Sequence, residues 1–108
     1  MLETYQQNQP ATLASLVDYQ AGSIVSKVLV KKKTGNVTLF AFAAGQELSE
    51  HTAPFDALVQ VVDGAATITI AGQPHQLTAG QVILMPANIP HAVKAPNNMK
   101  MLLTMIRE

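Results

Sequence analysis

The sequence predicts an all-β protein, a single barrel or sandwich of about nine short strands behind a short N-terminal arm. Three observations predict it. Beyond residue 23 the apolar residues fall in short runs rich in Val, Ile, Thr and Phe, which suit a pleated, half-buried surface. Turn residues punctuate those runs, with Gly at 45, 64, 72 and 80 and Pro at 54, 74, 86 and 90, so no window is left for a helix. The length of 108 residues, 48% of them apolar, supports one domain with a real core.

The elements follow in order. Thr12 to Tyr19, bounded by Pro10 and Gly22, reads as a short helical turn or an extended arm, so residues 1–22 are assigned to the arm and 23–108 to the barrel. Ile24–Val30 and Val37–Ala43 are strands joined by the turn-like Lys33-Thr34-Gly35-Asn36. Leu58–Val62 and Ala65–Ile70 flank Asp63-Gly64, a dipeptide that signals a hairpin because both central positions of a type I′ turn need positive φ. A short strand around Gln76-Leu77 follows Gln73-Pro74, then Val82–Met85 ends at Pro86, His91–Ala95 follows Pro90, and Met99–Ile106 closes the barrel. Phe40, Phe42, Phe55, Met85 and the Met99, Met101 and Met105 group supply apolar volume, with some of the methionines expected at an interface between subunits.

Charge excludes several partners. Seven Lys+Arg balance seven Asp+Glu, which leaves no electrostatic footprint for nucleic acid. Lys31-Lys32-Lys33 reads as a solvated strand end. The absence of Cys removes disulfides, thiolate nucleophiles and zinc-finger sites. No apolar stretch approaches the ~20 residues of a membrane span, and Met1–Pro10 is polar without the apolar core of a secretory leader. A soluble, cytoplasmic protein is the expectation. Charged residues make up only 13% of the chain, against a usual ~25%. A surface so poor in charge tends to bury part of itself against another subunit, and a homodimer is expected.

No Lys or Arg occurs from Thr34 to Val93, a stretch that holds Glu47, Glu50, Asp56, Asp63 and all three histidines. Such surroundings can hold a cation but not a phosphate; strands buried on both faces would lack basic residues as well. His51, His75 and His91 are too far apart for a local ligand pair, so any shared site is assembled by folding. His91 follows a turn stiffened by Pro86 and Pro90, His51 lies at a strand end before Pro54, and His75 shares the parity of Leu77, which aims it inward.

The spacing of these residues resembles the cupin superfamily of small jelly-roll barrels. Its first motif, G-x5-H-x-H-x3-E-x6-G, lies over Gly45, His51, Ala53, Ala57 and Gly64, and its second, G-x5-P-x-G-x2-H-x3-N, over Gly80, Pro86, Asn88, His91 and Ala95. Both frames match in length, and the resemblance runs from about Val25 to Ile106. It implies a double-stranded β-helix. It also implies a metal site, of which this chain keeps His51 and His91 and replaces the other two ligands with Ala53 and Ala57. One divalent ion (Fe, Mn, Ni or Zn) on that pair is the cofactor the resemblance admits. Asp56, Gln60 and His75 are the candidates to complete the site; the parity of Gln60 aims it away from Ala57, and His75 lies two strands from His91, roughly 10 Å away at ~4.8 Å per strand. Ala53 and Ala57 leave room for a pocket bounded by His51, His91, Phe55 and Met85, with His75 as a further ligand-binding group. The expected function is binding of a small molecule, with or without a metal. The alternatives are a metal-dependent enzyme of dioxygenase, isomerase or decarboxylase type and a domain that only dimerises.

Overall fold

A computed structural model describes residues 8–108. A single 3-10 turn, Leu13–Ser15, precedes nine strands: β1 (Ile24–Lys32), β2 (Gly35–Phe42), β3 (Glu47–His51), β4 (Asp56–Asp63), β5 (Ala65–Ile70), β6 (Gln73–Thr78), β7 (Val82–Met85), β8 (His91–Lys94) and β9 (Met99–Ile106). They form two sheets, a five-stranded one in the order β1-β2-β9-β4-β7 and a four-stranded one in the order β3-β8-β5-β6. All the pairings are antiparallel.

Alternation along each strand determines which face is buried. In β4, Ala57, Val59 and Val61 are buried while Asp56 and Leu58 are exposed. The inner faces of both sheets meet in one cluster, with Phe42, Val59, Val61, Met99 and Met101 from the larger sheet against Ala66, Ile68, Leu77 and Val93 from the smaller. Each fully buried large side chain there contributes roughly 1.5–3 kcal/mol relative to exposure. Met99 and Met101 are wholly inside this core, so they pack the barrel rather than a subunit interface.

Asp63-Gly64 does not form the expected hairpin. β4 pairs with β7 and β9 while β5 pairs with β6 and β8, so the dipeptide is a corner at which the chain crosses between sheets. Gly64 has φ +76°, and a Cβ there would run into the backbone carbonyl of Asn98. Positive φ and a close backbone approach both demand glycine, whichever sheet the following strand joins. The two-residue hairpin turn lies instead at Ala71-Gly72, between β5 and β6, where φ is +51° and +80°.

The arm covers part of the outer face of the larger sheet. Val17, with Leu13, Leu16 and Tyr19, packs on Leu39, Ala41, Val25, Val62 and Leu102. Polar contacts pin it there. Tyr19 Oη donates to Asp63 Oδ2 at 2.5 Å. Lys100 is buried, donates from Nζ to Ala14 O at 2.5 Å, and stands 4.9 Å from the centre of the Tyr19 ring. Among the described residues no helix is long and apolar enough to cross a membrane.

Two expected outcomes follow from these packing constraints. Gly64→Ala should cost about 2–3 kcal/mol, from backbone strain plus displacement of the Asn98 segment, measured by urea unfolding. Burial raises the Tyr19 hydroxyl pKa above its ordinary value of about 10, and the hydrogen bond to Asp63 and its negative charge raise it further. The fold thus favours the neutral phenol, and this contribution is complete below pH ~10 and lost as pH climbs through the raised value. Unfolding followed from pH 8 to 12 should show that alkaline loss in the wild type and a smaller one in Tyr19→Phe.

Candidate functional site

The site is built at one end of the smaller sheet, where β3 and β8 pair. Leu48 lies opposite Val93, a bulge follows, and His51 then lies directly opposite His91. The bulge sets Ser49 and Glu50 against the single residue Ala92 and re-aims the end of β3, a recurrent use of bulges beside functional sites. The two imidazole rings meet edge to face, with centroids 4.4 Å apart and planes at 70°. His91 is buried (5% exposed) and His51 is exposed.

Both rings are held by the same local device. His51 Nδ1 lies 2.7 Å from the carbonyl oxygen of Ser49, and His91 Nδ1 lies 3.1 Å from that of Ile89. A carbonyl oxygen can only accept, so each Nδ1 carries the proton and donates it. In the neutral imidazole each Nε2 then bears a lone pair. No buried side-chain nitrogen or oxygen among the described residues lacks a partner, so Nε2 of His91 is open to solvent rather than sealed in the core. The pair thus sets two imidazoles in contact, each oriented by its Nδ1 bond to the backbone.

The loop that delivers His91 is anchored from three sides. Ala87 N–H donates to Asp56 Oδ1 at 2.9 Å. Asn88 N–H donates to Ala53 O at 2.8 Å, and Ala71 N–H donates to Pro90 O at 2.9 Å. Asn88 has φ +64°, a left-handed conformation that asparagine tolerates better than most residues, so the glycine of the second motif is replaced without loss of the turn.

The remaining expected site residues lie elsewhere. His75 does share a face with Leu77, but β6 is the edge strand of its sheet and His75 is exposed there, opposite Ile68 and one row along from the His51–His91 row. Parity chose its face correctly, but the core covers that face of β6 only at Leu77, which is buried, and not at His75. Asp56 is occupied in bracing the 86–90 loop, and Gln60 lies on the outer face between Leu102 and Val82. Met85 is buried in the core beside Ala57, which has Met105 as its other cross-strand neighbour, so the space left by this alanine is bordered by two methionines. Phe55 is half-buried, with the guanidinium of Arg107 5.0 Å from its ring centre.

Register adds residues that sequence reasoning missed. Directly paired residues share a face, and one row runs His51, His91, Ile70, Gln73 across all four strands of the smaller sheet, so Gln73 shares their face, exposed on the edge strand two strands from His91. On the larger sheet, Asn36 and Thr38 share the inward parity of Phe40 and Phe42, and Thr38 Oγ1 donates to Asn36 Oδ1 at 3.0 Å. That parity was the available signal for these polar groups.

The donor set is too small for a resident metal. Stable first-row metal sites take three or four protein ligands, with water completing the shell. No group of three or more His, Cys, Asp or Glu converges among the described residues, and alanines stand where two further ligands would be. Two imidazoles do not by themselves meet that requirement.

Comparison with known proteins agrees with the fold. The profile of the cupin domain matches residues 38–107. This chain belongs to the cupin domain family. It is similar in structure to a conserved protein of unknown function, SPY1581, from Streptococcus pyogenes (32% identity, 98% of this chain and 93% of that one, TM-score 0.93). It also resembles a cupin superfamily protein from Desulfitobacterium hafniense (30% identity, 100% and 99%, TM-score 0.92). A third similar structure, a cupin 2 conserved barrel domain protein from Leptotrichia buccalis, is 45% identical over 88% of this chain, which spans 46% of that longer one (TM-score 0.85). A search of curated proteins returned no match.

The loop anchor gives a test of its own. Asp56→Ala should destabilise by about 1–2 kcal/mol in urea, because Ala87 N–H loses its charged acceptor. It should also shift and broaden the His91 ring resonances in NMR spectra, since the loop no longer holds that ring in one orientation.

Proposed function

We propose that this protein binds a small organic molecule at the mouth of its cupin barrel, through Nε2 of His51 and His91. The observation that carries this reading is the shared orientation: each Nδ1 is committed to a backbone carbonyl on two rings in edge-to-face contact, leaving Nε2 of each for a ligand. Such a pair complements a ligand with hydrogen-bonding groups, such as a polyol, a hydroxy acid or an amide. Apolar walls with a few convergent polar groups are the usual make-up of a small-molecule site, and Ile70, paired with His91, is the apolar neighbour in the same row. Gln73 adds a polar group in the same row.

A second reading is favoured by the same orientation. Metal-ligating histidines commonly donate their other ring N–H to a backbone carbonyl, as both do here. In that reading the two imidazoles hold a divalent ion only together with a chelating ligand that supplies the remaining donors, and the protein is a metal-dependent enzyme or a metal-chelate binder.

One experiment decides between them. Tag-free wild type and the His51→Ala/His91→Ala double variant are compared by metal analysis and by a thermal-shift screen of polyols, hydroxy acids and amides. Binding at a hundredfold excess over Kd adds about 2.7 kcal/mol of stability, so a true ligand should raise the wild-type Tm by several degrees and leave the double variant unmoved. Sub-stoichiometric metal in both proteins supports the first reading, whereas one equivalent of metal lost in the double variant supports the second. A broad screen without a hit counts against both.

A further inference from the structure

Strand parity sorts the charges at the mouth onto opposite sides of the larger sheet. One inward row of directly paired residues there is Lys31, Asn36, Met105, Ala57 and Met85. The same registers carry on to the next inward row. Asp56 pairs with Ile106, and Arg107 N–H donates to Thr34 O at 2.8 Å, which sets Arg107 between Thr34 and Phe55. Its guanidinium lies 5.0 Å from the centre of the Phe55 ring. The acidic side chains go the other way. Asp56 has outward parity and accepts from Ala87 N–H, Glu108 has the parity of Ile106, and Glu50 falls opposite Ala92 rather than His91. Among the described residues no carboxylate pairs with Arg107. The stretch from Thr34 to Val93 holds no Lys or Arg, yet the mouth is not without positive charge, because Lys31 and Arg107 reach it from outside that stretch.

We propose that the molecule bound at the mouth is a small organic acid, whose carboxylate is taken by Arg107 and whose hydrogen-bonding end is taken by His51 and His91. This rests on the proposed binding at the two histidines and narrows it to one class of ligand. A guanidinium stacked on an aromatic ring is held by the ring's negative face and keeps all its N–H donors free in its own plane. That planar fork matches the two oxygens of a carboxylate. Lys31, in the neighbouring inward row, adds positive potential. Asn36 has its Oδ1 engaged by Thr38, which leaves its amide NH2 to donate. The backbone argues against a phosphate, whose sites draw on clusters of free N–H groups. Here Arg107 N–H is committed to Thr34, Ala87 N–H to Asp56 and Asn88 N–H to Ala53, while Pro86 and Pro90 have none. Packed sheets stand about 10 Å apart, so a short acid spans from Arg107 on the larger sheet to the histidines of the smaller.

Calorimetric titration with matched probes tests this. Lactate, pyruvate, succinate and gluconate are titrated into the tag-free protein, each beside its own amide, together with glycerol phosphate. At least one acid should bind about tenfold or more tightly than its amide, and the preference should shrink as salt is raised. Arg107→Gln should weaken that acid about 10- to 100-fold, the worth of a charged hydrogen-bonded contact, and leave the amide unchanged. Arg107→Lys should recover only part of the loss, since it restores charge without the fork. Phe55→Leu, which removes the support under the guanidinium, should weaken the acid but not the amide, a split that general loosening of the fold would not produce. An acid bound no better than its amide, an acid unaffected by Arg107→Gln, or glycerol phosphate bound more tightly than every acid would each overturn the proposal. Should Arg107→Gln fail to fold, the acid–amide comparison and its salt dependence in the wild type still decide. If such a negative result comes with binding that His51→Ala/His91→Ala abolishes, the histidine site stands without Arg107; if no probe binds the wild type, both fall.

Discussion

Two sheets can bury their inner faces against each other only if every strand presents one parity of its residues inward. The rest of this molecule depends on that constraint. A slip of one residue in β4 would send Val59 and Val61 to solvent and bring Leu58 and Gln60 into the core, at a cost of several kcal/mol for the lost burial. With parity settled, rows of paired residues are settled as well, and the His51, His91, Ile70, Gln73 row at the barrel mouth is one of them. The site thus rests on the same burial that stabilises the fold.

The chemistry of the mouth comes from a small local motif used twice. Each histidine folds its ring back onto the carbonyl two residues earlier, Ser49 for one and Ile89 for the other. This removes the ambiguity of tautomer that a free histidine would have and turns two flexible groups into two rings of defined position. The neighbouring positions at Ala53 and Ala57 contribute no side-chain donor or acceptor, so the two histidines are the polar groups at this end of the sheet that the glycine-bounded frames supply. The 86–90 loop, tied down by Asp56, Ala53 and Ala71, gives the buried histidine its fixed approach.

The outer face of the larger sheet shows how a charge-poor chain handles its second surface. The arm covers one end with Leu13, Leu16, Val17 and Tyr19 and is held by Asp63 and Lys100. Lys100 is inside the protein because its stem packs with the arm while its ammonium finds a carbonyl and an aromatic face. The other end remains bare and uncharged, and β7, which borders it, leads directly into the loop carrying His91.

Much of this was readable in the residues themselves. Short β-branched runs and Gly/Pro punctuation determined the all-β class and most strand positions, because alternation and turn chemistry are local properties. The glycine-bounded frames singled out His51 and His91, and Asn88 was legible as a residue able to hold positive φ. Other features were decided only by the tertiary structure. Asp63-Gly64 has the local chemistry of a hairpin, but whether the next strand pairs with its predecessor or crosses to the other sheet depends on which partners are already in place. His75 has inward parity, but its exposure depends on how far the core reaches along β6, where Leu77 is covered and His75 is not. Asp56 looked like a spare ligand until the loop closed over it, and Gln73 and the Asn36–Thr38 pair became visible only as members of rows. The division has one physical reason: backbone propensity and side-chain parity act within a few residues, whereas neighbours across strands are chosen by burial of the whole core.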